Sequence, residues 1–172
     1  MYHIRSGKIA LHLKPCDLVT LCHDTIKEQR LLTGRTIQLD VPASPIMMHA
    51  DGDRLSQVIV NLVSNALRYS SEDSGVQVFV DKRSDVGIIE VCDAGKGISQ
   101  EEQAHIFEPF YRSEENVCTS SKSGLGLGFS ICKGIIERHG GRIWCRSRPV
   151  HVSTFIVEMP LKGYVSRGRP LS

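Results

Sequence analysis

Between Asp53 and Ser70 the chain repeats apolar residues at spacings of three and four, so that Leu55, Val58, Ile59, Leu62, Val63, Ala66 and Leu67 share one broad face. That period predicts a helix lying on a core. Upstream, alternation around Leu11 and Leu13 before Pro15 reads as an extended or strand-like arm, and Asp17 caps a helix that carries Leu18, Leu21, Cys22, Thr25, Ile26, Gln29 and Leu32 at helical spacing and stops at Gly34. Thr36 to Val41 and Ile46 to Ala50 read as short strands separated by prolines, and Asp51 and Asp53 supply an acidic start to the long helix. Val76, Val78 and Val80 alternate as a half-buried strand, Asp85 to Gly87 reads as a turn, and Ile88 to Cys92 is a more continuous apolar strand that delivers Asp93 at its end.

Beyond Asp93 glycines punctuate the pattern. Ser99 and Glu102 form a capping box for a short helix reaching Phe107, stopped by Pro109. Tyr111 to Ser123 has no periodicity and reads as a loop, of a length that inside a compact domain is functional or disordered. Gly124 to Gly128 opens a helix through Ile131, Ile135, Ile136 and Arg138 that ends at Gly140 and Gly141, and Arg142 to Arg148 with Val152 to Met159 predict a closing hairpin. Residues 1–16 are read as an arm, 17–162 as one domain, and 163–172 as a frayed tail.

Composition changes this picture little. The 172 residues are 41% hydrophobic and 23% charged with a net charge of +2, which is ordinary for one globular domain and too weakly basic for nucleic acid to be the main partner. The six cysteines show no metal-ligand spacing, as expected of reduced thiols in a cytosolic protein. No apolar run is long enough to cross a bilayer, so the chain by itself is expected to be soluble and to make no direct membrane contact, and with its reduced thiols a cytoplasmic location is expected.

The candidate chemistry lies in three polar clusters at element ends. On the long helix Asn61, Asn65, Arg68 and Tyr69 form a stripe beside the apolar face. Asparagine is a poor helix former, so the stripe is either a solvated face or a set of hard oxygens and a cation turned to a magnesium polyphosphate. The others are Asp93-Ala-Gly95-Lys96-Gly97 and Gly124-Leu125-Gly126-Leu127-Gly128 before a helix. Glycines admit a ligand close to the backbone, and a helix N-terminus attracts anions. A P-loop and the GxGxxG spacing of dinucleotide and protein-kinase loops are both absent.

Taken together and in order, these clusters resemble the catalytic ATP-binding domain of bacterial two-component sensor histidine kinases, within the wider family of gyrase, MutL and heat-shock chaperone ATPases. Asn61-Leu-Val-Ser-Asn65-Ala is similar to the N box, Asp93 to Ile98 to the G1 box, Phe107-Glu-Pro-Phe110-Tyr-Arg112 to the F box, and Gly124 to Gly128 to the G2 box. The resemblance implies an α+β fold, a two-layer α/β sandwich of the Bergerat type with a mixed, mostly antiparallel sheet and helices on one face. It implies ATP and Mg²⁺ as cofactors. Asp93, backed by Thr154, would accept the adenine amine, and Gly95 and Gly97 would let the loop pass the base. Asn65 would ligate Mg²⁺, Arg68 would pair with phosphate, Tyr69 would lie against the nucleotide, and the loop to Ser123 would be a lid. Asn61, Lys96, Ile98, Phe107, Arg112, Gly124, Leu125, Gly126, Leu127 and Gly128 complete the implied ATP site.

The same resemblance implies a histidine kinase part that supplies the γ-phosphate to a histidine on a dimerisation and phosphoacceptor domain, with a response regulator as the further partner. A nucleotide-binding regulatory module and a serine kinase of the anti-sigma-factor type share the boxes and stay open. His23-Asp24 lacks the arginine and proline of a phosphoacceptor motif and reads as helix surface, so the chain alone is not expected to autophosphorylate. No glycine precedes Ser153-Thr154-Phe155, where Val150-His151-Val152 stand. Leu125 occupies a position often small or hydroxylated in the family, so no side-chain hydrogen bond is expected from it.

Overall fold

The computed structural model describes residues 10–95, 97–109, 111, 128–147 and 152–161. Expectations for Lys96, Phe110, Arg112, the loop from 113 to 123, Gly124, Leu125, Gly126, Leu127 and the tail therefore lie outside the described residues. In chain order the elements are β1 (Lys14–Asp17), α1 (Leu18–Thr33), β2 (Ile37–Asp40), β3 (Met47–Ala50), α2 (Gly52–Tyr69), β4 (Val76–Arg83), β5 (Val86–Asp93), α3 (Gln100–His105), α4 (Gly128–Arg138), β6 (Arg142–Ser147) and β7 (Ser153–Pro160).

Five strands form one sheet in the order β2-β4-β5-β7-β6. Only the β2–β4 pair is parallel; the other three are antiparallel. Val76, Val78, Val80, Ile89, Val91, Phe155, Val157 and Ile143 point to one face and join the buried residues of α1, α2 and α4 in a single core. Phe79 and the side chains alternating with this set face the other way. The result is the two-layer α/β sandwich with helices on one face that the resemblance implies. β1 and β3 pair separately as a small antiparallel ribbon, so residues 14–16, read as the end of the arm, are a strand.

Helix α2 lies across the middle of the sheet. Its N-cap Asp51 accepts from Arg54 N–H, and the seven apolar residues of the expected stripe are all buried. Each of its buried Leu, Val and Ile side chains stabilises the fold by roughly 1.5–3 kcal/mol and Ala66 by less, so this face is a major part of the core energy. Helix α1 follows its expected pattern, with Asp17 accepting from Val19 N–H and Gly34 left-handed at φ 64°. It departs at its end: burial stops at Gln29, and Leu32, read at the same helical spacing, is 72% exposed.

Two further expectations are corrected. The β4–β5 turn is Ser84-Asp85 with Ser84 at φ 55°, not Asp85 to Gly87, because Val86 and Gly87 already pair with Arg83 and Lys82. A Cβ at Gly87 would stand 3.0 Å from Leu18 Cδ2 and 3.2 Å from Leu161 Cδ2, so both leucine tips would have to shift to admit one. The short helix α3 carries both halves of its capping box but ends at His105, short of Phe107.

Candidate functional site

The polar stripe of α2 begins beside α4. Asn61 is half-buried, and its Nδ2 donates to the sulfur of Cys132 on α4 at 3.6 Å. Burial pushes the Cys132 thiol up to about 11, so the sulfur stays a neutral neighbour of the amide. One turn on, Asn65 is half-buried and makes no side-chain hydrogen bond among the described residues. Arg68 and Tyr69 stand exposed in the last turn.

That last turn is held from outside. Arg35, in the loop before β2, donates to Leu67 O at 3.3 Å, Ser70 O at 3.4 Å, Ser70 Oγ at 3.2 Å and Ser71 O at 3.0 Å. A cation among the carbonyls of a helix C-terminus adds hydrogen bonds to the acceptors there and offsets the helix dipole. Arg35→Ala is expected to lower stability by about 1–2 kcal/mol, read as a shifted urea midpoint with unchanged slope.

Asp93 ends β5 on the helix-covered face and is 4% exposed. Its Oδ1 accepts from Gly95 N–H at 2.9 Å, the one hydrogen bond the carboxylate makes among the described residues. Burial raises its pKa, and the Gly95 bond only partly opposes this. Gly95 is required by closeness: a Cβ there would meet Asp93 Oδ1 at 2.8 Å and Tyr69 O at 3.0 Å. Gly97 is required by conformation, at φ 79°. The loop is thus folded tightly around the carboxylate and against the end of α2.

Thr154 does not back Asp93. It pairs across from Cys92, on the opposite face of the sheet, and its hydroxyl lies 3.4 Å from the Cys92 sulfur. The residue opposite Asp93 is Ser153, 2% exposed. Because side chains alternate along a strand, a shift of one residue moves a group to the other face. Ser153 was missed for that reason. Its Oγ lies 2.9 Å from Ser147 Oγ, which in turn accepts from Ile98 N–H at 2.6 Å. Gln103 of α3 closes the loop by donating to Ile98 O at 2.7 Å and Ser147 O at 3.1 Å.

Phe107 is committed to packing. Its ring stands edge-on to Phe129 and Phe155 at 5.9 and 6.3 Å, and those two rings stack at 4.8 Å. The trio joins the turn after α3 to the first turn of α4 and to β7. Gly128 opens α4, and a Cβ there would meet nothing within 4 Å among the described residues. At the other end of α4, the buried His139 donates from Nδ1 to Ile135 O at 2.8 Å and accepts at Nε2 from Asp51 N–H at 3.0 Å. No periodic signal marked His139; only its place before Gly140-Gly141 could have drawn attention to it.

The described members of the site therefore converge from α2, β5 and its following loop, β7 and the start of α4. A cavity of about 840 Å³ lies elsewhere, at the N-terminal end of α2 between His12, Lys14, Asp53 and Gln57. Chemistry, not hollow volume, locates the site. A buried carboxylate with an oxygen to spare fits an amine donor such as that of adenine. Among the described residues no cluster of three or more His, Cys, Asp or Glu could hold a metal. A lone amide such as Asn65 fits Mg²⁺ only alongside phosphate oxygens and water, the setting in which that ion usually sits. No described helix is long and apolar enough to cross a membrane.

Comparison with known proteins agrees with this geometry. Residues 50–163 match the family model described as histidine kinase-, DNA gyrase B- and HSP90-like ATPase. The adaptive-response sensory kinase SasA of Crocosphaera subtropica is 34% identical over 160 residues, covering 91% of this chain and 41% of that protein. The sensor protein KdpD of Clostridium acetobutylicum is 36% identical over 118 residues, covering 68% of this chain and 13% of that protein. Among solved structures, the nucleotide-free catalytic domain of histidine kinase ThkA superposes with a TM-score of 0.73 at 27% identity, covering 87% of this chain and 96% of that one. Full-length ShkA in complex with AMPPNP gives a TM-score of 0.76 at 25% identity, covering 91% of this chain and 33% of that one. The chain spans about two fifths of the length of the SasA relatives it matches.

Proposed function

Because the chain belongs to the histidine kinase-, DNA gyrase B- and HSP90-like ATPase family, we propose that it binds Mg-ATP and presents the γ-phosphate to a histidine on a dimerisation and phosphoacceptor domain of a longer sensor kinase. The observation that carries this reading is Asp93, a buried carboxylate at a strand end with a spare oxygen beside the tight Gly95 loop. Asp93 accepts from the adenine amine, with Ser153 next to it in place of Thr154. The exposed Arg68 takes phosphate oxygens, and Tyr69, beside Gly95, lies against the nucleotide. Asn65 holds the metal together with the phosphates, and Mg²⁺ supplies charge neutralisation there. Lys96, Arg112 and Gly124 to Leu127 are carried into the proposal by resemblance alone, as are the response regulator as acceptor of the phosphoryl group and the unit from 17 to 162 as the catalytic domain.

Transfer by such a site relies on positioning and on fixed charge, not on covalent protein chemistry. Asn61 cannot accept a proton at neutral pH, and its amide nitrogen is engaged with Cys132. General-base assistance to water, worth about 10²–10⁴-fold, is therefore missing. The chain incubated with γ-labelled ATP is expected to release little phosphate and to take no label itself, while a cognate phosphoacceptor domain added in trans becomes labelled on histidine. Rapid phosphate release by the chain alone would overturn the role given to Asn61. Label on a partner's serine would assign the chain to the anti-sigma-factor type of kinase.

A further inference from the structure

Asp93, Ser153 and Ser147 form one cross-strand row on the helix-covered face, set by the registers Asp93↔Ser153 and Ser147↔Ser153. The row ends at an amide: Ile98 N–H can only donate, so Ser147 Oγ accepts there, at 2.6 Å. The 2.9 Å bond between the two serine hydroxyls can run in either sense. If Ser153 donates, its proton turns away from Asp93, and the proton of Ser147 has no acceptor among the described residues. If Ser147 donates, the hydroxyl left without a protein acceptor is that of Ser153, the residue paired across from Asp93, and its proton is free to meet a ligand. This second sense therefore sets an O–H donor and a carboxylate acceptor at paired positions of the two strands.

That pair is complementary to the edge of adenine, where an exocyclic amine that donates adjoins a ring nitrogen, N1, that accepts. Guanine inverts both groups. We propose that Ser147 is a positioning residue for base selectivity: by donating to Ser153 it turns that hydroxyl toward the ligand, while Gln103 and Ile98 hold Ser147 in place. The proposal rests on the reading of Asp93 as the acceptor of the adenine amine. It adds a residue that touches no ligand and acts through another.

The test is calorimetric binding of Mg-ATP and Mg-1-deaza-ATP to the full chain. The analogue keeps the amine but replaces N1 by C–H. The unaltered protein is expected to prefer ATP about 10-fold or more, since a site built to hydrogen-bond rejects a ligand lacking the partner group. Ser153→Ala should bring the ratio close to one. Ser147→Ala should lower ATP affinity several-fold and leave 1-deaza-ATP affinity nearly unchanged, contracting the ratio, and Ser147→Thr, which keeps the hydroxyl, should restore it. Ser147→Cys, a weaker donor of similar shape, should give an intermediate ratio and serves if the alanine variant does not fold. A merely structural Ser147 would weaken both ligands equally, and an unchanged ratio in the Ala or Cys variant overturns the proposal. Failure of the unaltered chain to bind ATP at all would instead sink the functional reading on which it rests.

Discussion

Replacing Asp93 by Asn is expected to remove most ATP affinity, about 100-fold or more, and to leave the ligand-free protein at least as stable as before. The two halves of this expectation have one cause. Burial holds the Asp93 pKa above its ordinary value of 3.8. A carboxyl whose folded pKa is raised contributes its stability below the unfolded value and loses it as pH rises through the folded value, so near neutrality the fold bears the whole cost of the charge. Asn carries no charge and keeps an oxygen for the 2.9 Å bond from Gly95. What it loses is the second acceptor. An amide can turn only a donor toward the adenine amine, and a lost hydrogen bond to a charged group is worth about 1.5–3 kcal/mol before any donor–donor conflict is added. Calorimetry with ATP and GTP, together with a thermal melt of the ligand-free protein, checks both halves. Equal affinity for the two nucleotides in the unaltered protein, or undiminished ATP binding in the variant, would refute the role of Asp93. A melt well below that of the unaltered protein would show that the carboxylate serves the fold.

The second large effect is expected at His139, remote from the nucleotide. Its ring is 2% exposed and joins the end of α4 to the start of α2 through Ile135 O and Asp51 N–H. Asp51 also accepts from His12 N–H, so the same point ties in the segment before β1. His139→Ala leaves a buried amide without its acceptor and opens a cavity, a combined cost of about 2–4 kcal/mol. The bond from Asp51 N–H needs an unprotonated Nε2, and desolvation holds the pKa below the ordinary 6.5 although the Ile135 carbonyl and Asp51 oppose it. The unfolded chain thus takes up a proton near 6.5 that the folded chain refuses. Stability from this residue is present above that pH and is lost as pH falls toward the folded pKa. Denaturant midpoints of the unaltered protein and the Ala variant should therefore converge as pH falls below about 6.5. A gap that stays constant below that pH would remove the hydrogen-bond explanation and leave only the cavity.

What the sequence by itself determined is the part encoded within a few residues. The period of Leu55 to Leu67, the caps at Asp17, Asp51 and Ser99, and the left-handed Gly34 and Gly97 all depend on neighbours one helical turn or less away. Local sterics and burial decide such features, and the four ordered boxes made the family legible. Tertiary structure alone decided which side chains meet across the fold. Whether Ser153 or Thr154 stands beside Asp93 depends on the register of β7 against β5, partners 60 residues apart, and one step of register exchanges the two faces. The Cys132 contact of Asn61, the grip of Arg35 on the end of α2 and the bridge from His139 to Asp51 join residues between 32 and 88 positions apart. No spacing along the chain encodes them, because each exists only after separate elements have packed against the same core.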